Sequence, residues 1–174
     1  MTQSVELTFD AATDAAVRDL WARLAEAGLP SEQRSTPSAS HRPHLTLFAG
    51  NTLDAQADKA LPGLVTGLDL PVRLGALLSF GPRRGTVVLA RQVVAGRKLL
   101  DLQAAVAACC GADRDGLFGP GRWTPHVTLA RRVPVERLGD AVQALGDLPE
   151  LTGISRSCRR WDSERRVTWD LRRG

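Results

Sequence analysis

Two short segments hold most of the chemistry this chain could do: Pro43-His44-Leu45-Thr46-Leu47 and Pro125-His126-Val127-Thr128-Leu129. They are nearly one pentapeptide written twice. On a strand, successive side chains point to opposite faces, so His44 and Thr46 share one face while Leu45 and Leu47 share the other. The same holds for His126 and Thr128 against Val127 and Leu129. Each segment thus sets an imidazole beside a hydroxyl, about 7 Å apart along the backbone, over an apolar underside. Two such strands brought together would give a groove with two imidazoles and two hydroxyls, which is what cleaving a phosphodiester without a metal needs. A neutral imidazole takes a proton from the attacking oxygen and an imidazolium gives one to the leaving oxygen, both near the ordinary histidine value of about 6.5. The hydroxyls, assisted by backbone N–H groups, can hold the non-bridging oxygens, where charge builds up. Which histidine is acid and which base is open at this level.

The plain alternative is two structural strands that happen to carry histidine. It must explain why proline precedes and leucine follows both motifs, which chance rarely supplies. His41 has neither feature and reads as a solvated loop residue.

The elements around the motifs repeat in order. Val5–Phe9 alternates as a strand, and Val17, Leu20, Trp21 and Leu24 mark a helix behind a Thr13 cap, stopped at Gly28 and Pro30. A polar Ser/Pro loop runs from Pro30 to Pro43 into the first motif strand. A short helix over 54–61 should end at Pro62-Gly63, and Val72, Leu74, Ala76 and Leu78 alternate in a third strand before the Gly81–Gly85 turn. The second half opens with a strand at Thr86–Ala90 and a helix striped by Leu99, Leu102, Val106 and Cys109. The second motif strand follows, then a helix from Pro134 with Val135, Leu138, Val142 and Leu145 on one face. Two last strands, about Thr152–Arg160 and Arg166–Leu171, are joined at Trp161–Glu164.

Each half therefore reads strand, helix, strand, helix, strand, with one strand added at the end. The expected fold class is α/β (α+β), with one unit duplicated. The whole of 1–174 is expected to be one domain, with lobes of about 1–80 and 81–174 and exchange of strands between them left open.

Composition bounds the partners. The 174 residues are 43% apolar and 24% charged, which suits one compact domain and neither a disordered nor a fibrous chain. No apolar run reaches the ~18 residues of a membrane span, and the first ten residues lack a leader pattern, so a cytoplasmic protein is expected. Three cysteines, two of them adjacent, make no disulfide framework, and three histidines without metal-ligand spacing point to no metal. The net charge of +4 arises entirely after residue 155, where seven arginines face three acids. Arginine's planar fork suits phosphate, although an edge hairpin guarded by charge would look the same.

Further substrate contacts are expected among Arg131, Arg156 and Trp123. Arg131, at the end of the second motif strand, could pair with a phosphate oxygen, though its odd spacing from His126 turns it away on a regular strand. Arg156 would share an inward face with Ile154 and Cys158. Trp123 and Trp161 could stack a base, while Trp21 and Trp169 read as core. Arg83 and Arg84 in the turn read as ordinary exposed cations.

Over nearly its whole length the chain resembles the 2H phosphoesterase superfamily, which includes bacterial 2′-5′ RNA ligase-like proteins and cyclic nucleotide phosphodiesterases. The resemblance rests on His44-Leu45-Thr46 and His126-Val127-Thr128, and on the run from Trp123 through Pro125-His126-Val127-Thr128-Leu129-Ala130-Arg131. It implies a duplicated, bilobal α/β (α+β) fold, two pseudo-symmetric lobes with largely antiparallel sheets forming a central groove and helices outside, together with a histidine acid–base pair, threonines on the phosphate, no cofactor and no metal. The implied substrates are 2′,3′-cyclic phosphate ends of RNA or small nucleotides, opened to 2′-phosphomonoesters by a monomeric enzyme. A 2′-5′ RNA ligase, or a phosphodiesterase for small cyclic nucleotides or ADP-ribose derivatives, is the alternative in the same fold; a non-catalytic RNA-binding module is the alternative outside it. The resemblance weakly favours His126 as base and His44 as acid. The chain departs from the family pattern in having no tyrosine, and Ile154-Ser155-Arg156-Ser157 matches it only loosely.

Overall fold

The computed structural model describes residues 2–36 and 40–171; Arg172, Arg173 and part of the Pro30–Pro43 loop fall outside them. The chain runs β1 (Gln3–Thr8), α1 (Ala11–Glu26), β2 (His44–Gly50), α2 (Ala55–Val65), β3 (Leu70–Arg83), β4 (Thr86–Val93), α3 (Arg97–Cys109), β5 (His126–Pro134), α4 (Leu138–Leu145), β6 (Leu151–Ser155), β7 (Ser157–Asp162) and β8 (Val167–Asp170). No helix among the described residues is long and apolar enough to cross a membrane.

The strands form two antiparallel sheets of four, ordered β2-β1-β7-β8 and β5-β4-β3-β6. The motif strands β2 and β5 are thus the equivalent edges of the two sheets, and they pack against each other. The third strand of each sheet comes from the other half of the chain: β3 lies beside β4, and β7 beside β1. The core is continuous beneath both motifs, with Leu45, Leu47, Val127 and Leu129 all at most 1% exposed.

Several local expectations are corrected. Helix α1 is capped by Asp10, whose carboxylate accepts the Thr13 N–H, so Thr13 sits inside the first turn. Helix α2 does not stop at Pro62; burial of both Leu61 and Val65 carries it one turn further. A register irregularity in β3 between Leu74 and Leu77 breaks the alternation, so Ala76 does not join the buried side of the strand. Pro134 is the last residue of β5 and the N-cap of a 3-10 turn, Val135–Arg137, that leads into α4, so it stands just before the first helical position; Val135 and Val142 are exposed, and Ala141 and Leu145 hold α4 to the core.

The expected strand over 152–160 is two strands in different sheets. The chain crosses at Arg156, which is exposed and paired with Asp69 at 3.3 Å instead of facing inward. Trp161 lies within β7, not in a turn, and Trp169 is 37% exposed on the edge strand under the Arg160 guanidinium. Trp21 is core, at 3% exposed.

Candidate active site

An edge strand leaves carbonyls unpaired, and in a crowded interior these must find donors. At the motifs they do so in equivalent ways. The Trp123 indole N–H donates to the Thr46 carbonyl (3.0 Å) and the Trp21 indole N–H to the Thr128 carbonyl (3.1 Å). One residue on, the Leu47 carbonyl accepts from the Gln103 amide and the Leu129 carbonyl from the Glu32 backbone N–H. Both motif strands are thus held from their open sides. Trp123→Phe keeps an aromatic ring but deletes one such bond; it should cost about 1 kcal/mol in urea unfolding and lower kcat more than it changes KM, since the Thr46 backbone loses its brace.

Both strands also bulge at the same place. Glu6 pairs with Thr46 while Val5 pairs with Phe48, leaving Leu47 as the extra residue; Ala90 pairs with Thr128 while Leu89 pairs with Ala130, leaving Leu129 extra. An inserted residue reverses the alternation beyond it. This is why Arg131, at an odd spacing from His126, lines the same cleft as His126 and Thr128. Ala49 occupies the matching position on β2 and lines the cleft too.

The cleft has a volume of about 950 Å³, and His44, Thr46, His126 and Thr128 all line it, as do Trp123 and Arg131. Arg156 does not. Each imidazole is fixed in the same way: His44 Nδ1 donates to the Arg42 carbonyl and His126 Nδ1 to the Thr124 carbonyl, both at 2.7 Å. A carbonyl only accepts, so Nδ1 carries the hydrogen and Nε2 is left for the cleft. Neither motif threonine hydroxyl hydrogen-bonds to another described residue, so both are open to a ligand.

The two histidines differ in their surroundings. His126 lies against the Phe80 ring, with centroids 4.7 Å apart. Burial pushes its imidazole below the ordinary value; the Thr124 carbonyl opposes this, and the charges of Arg131 and His44 add to it. His44 instead has Glu6 as a neighbour, Nε2 to Oε1 3.8 Å. Glu6 is 4% exposed, accepts the Ser4 hydroxyl at 2.6 Å, and is gripped by Arg159 at 2.8 and 3.0 Å. Burial drives its carboxyl up, but His44, Arg159 and Ser4 more than offset this and hold it below its ordinary range.

Sequence reasoning misses Glu6 and Arg159. The polar alternation of Ser4, Glu6 and Thr8 opposite Val5, Leu7 and Phe9 is the available signal, but it looks like a solvent face until the pairing is known. His41 sits in the loop as read, but it is not a solvated residue without a partner: it lines the cleft, donates to the Glu32 carbonyl and lies 5.2 Å from the Trp21 ring. Arg34 and Arg122, which line the mouth, have no ion pair among the described residues.

Solved structures share this architecture across almost the whole chain. A Thermus thermophilus protein, TT0787, matches with a TM-score of 0.62 at 20% identity, covering 99% of this chain and 98% of its own. Usb1 of Kluyveromyces marxianus matches with 0.59 at 11%, covering 98% and 97%. E. coli LigT, solved with 3′-AMP, matches with 0.56 at 18%, covering 97% and 92%. These likenesses define the fold, an α+β framework of two four-stranded antiparallel sheets with helices outside. No curated protein matches the sequence. The 2′-5′ RNA ligase superfamily matches residues 14–159, and the chain belongs to that superfamily of 2H phosphoesterases.

Proposed function

We propose that the protein is a metal-independent phosphodiesterase that opens 2′,3′-cyclic phosphates on RNA ends or nucleotides to 2′-phosphomonoesters. One observation carries the reading. Two imidazoles with Nδ1 tied to backbone carbonyls line one cleft, each two residues from a threonine whose hydroxyl has no partner among the described residues.

The roles follow from the surroundings. His126, desolvated and near the Arg131 charge, is neutral at pH 7 and serves as the base. Its Nε2 takes a proton from water as the water oxygen bonds to phosphorus. The bond from phosphorus to the 3′ oxygen breaks, and that oxygen takes the proton from His44 Nε2. Thr46 and Thr128 donate to the non-bridging oxygens. Solvent then returns the proton from His126 to His44. Arg131 and Trp123, which line the cleft, are the further nucleotide contacts in this reading.

The test is incubation in EDTA with 2′,3′-cyclic nucleotides, a cyclic-phosphate-ended RNA and 2′-5′-linked dinucleotides, with product analysis over pH. The expected result is a 2′-phosphomonoester and a bell-shaped profile. Its acid limb should lie below the ordinary histidine value of 6.5, because the base has to gain its proton against burial and positive charge. Activity that EDTA abolishes, or RNA binding with no product from any substrate, overturns the proposal.

A further inference from the structure

The pseudo-symmetry of the cleft is broken at the positions that flank the motif threonines. The residue paired with the motif threonine across the neighbouring strand is Glu6 in one sheet and Ala90 in the other. A carboxylate inside a sheet is costly unless its bonds are met, and the partners of Glu6 are all in place: Ser4 on one oxygen, Arg159 on the other. The oxygen that Ser4 holds is also the one 3.8 Å from His44 Nε2.

We infer that Glu6 is a positioning residue that fixes His44 as the proton donor, with Arg159 and Ser4 setting where its charge sits. A fixed carboxylate 3.8 Å from Nε2 places a negative charge on one side of the ring and draws the Nε2–H toward it. No carboxylate faces His126 from Ala90, so the two-fold related ring is left to act as base. The ionisable groups that interact with His44 are Glu6 on β1, His126 on β5 and His41 in the preceding segment, with Arg159 on β7 acting through its pair with Glu6. Glu6 is the acid among them. The inference rests on the two-histidine reading above and deepens it by assigning what makes the roles unequal.

Variants at Glu6 and at its Ser4 partner separate positioning from mere support. Glu6→Gln keeps the shape and removes the charge; the basic limb of the kcat/KM profile should move to lower pH. Turnover at pH 8 should then fall at least about tenfold, with much less loss near pH 6. Ser4→Ala removes the competitor for the oxygen facing His44, so its basic limb should move the opposite way, to higher pH. A structural role alone predicts no such opposed displacement. Basic limbs unchanged in both variants, while His44→Ala and His126→Ala are inactive, would overturn the Glu6 assignment and leave the two-histidine reading standing. Active histidine variants would instead remove that reading. If Glu6→Gln does not fold, Ser4→Ala decides alone: a limb that stays put or moves to lower pH refutes the inference.

Discussion

Replacing His126 with alanine should lower kcat on a 2′,3′-cyclic nucleotide at least about a hundredfold, and His44→Ala should do the same, with affinity for the 2′-phosphate product retained. The magnitude is that of losing one positioned acid or base. Retained affinity is expected because the threonine hydroxyls and the cleft walls stay in place. The double variant should be little slower than either single one, because acid and base act on one displacement and the second deletion removes a partner that is already idle. Neither change should greatly alter folding, since both rings face the cleft and their hydrogen bonds run to carbonyls only two residues away. Unchanged turnover in both single variants would end the phosphodiesterase reading.

Arg159→Met should destabilise the fold by roughly 3–5 kcal/mol at pH 7, read by urea unfolding, because it leaves the Glu6 carboxylate buried without its cation. The pH dependence has a definite sign. In the parent chain the Glu6 carboxyl is held below its ordinary 4.5, so its contribution to stability is present above that value and is lost as pH falls through the lowered one. In the variant the uncompensated carboxylate is discharged by protonation. The gap between the two proteins should therefore narrow on acidification. Adding Glu6→Gln to Arg159→Met should recover much of the loss at pH 7, since removing both charges leaves nothing unpaired. A deficit that stays constant from pH 7 to pH 4 would contradict this account.

What can be read from the residues is what depends on neighbours in sequence. Alternation alone assigns His44 and Thr46 to one face and Leu45 to the other, and the structure has that arrangement. The order of elements follows from apolar periodicity. What cannot be read depends on pairing. Glu6 is indistinguishable from a solvent-facing strand residue until Thr46 lies opposite it. Arg131 turns toward the cleft because Leu129 is an inserted residue, and nothing in Thr128-Leu129-Ala130 announces a bulge. Arg156 looks like an inward charge only if one strand is assumed where the chain changes sheets. Trp169 looks like core from its alternation with Val167 and Leu171, but it ends on the outermost strand.

The crossing of β3 and β7 ties the two halves of the chain to each other. Each half has lent a strand to its counterpart's sheet, so the halves cannot part without breaking the β3–β4 and β1–β7 ladders, and each histidine-bearing edge rests on a sheet that both halves build. The same reciprocal lending means that a fragment ending near residue 80 would lack an inner neighbour for β1 and carry a β3 with no sheet to join, so half of this chain should not be a functional hemisphere.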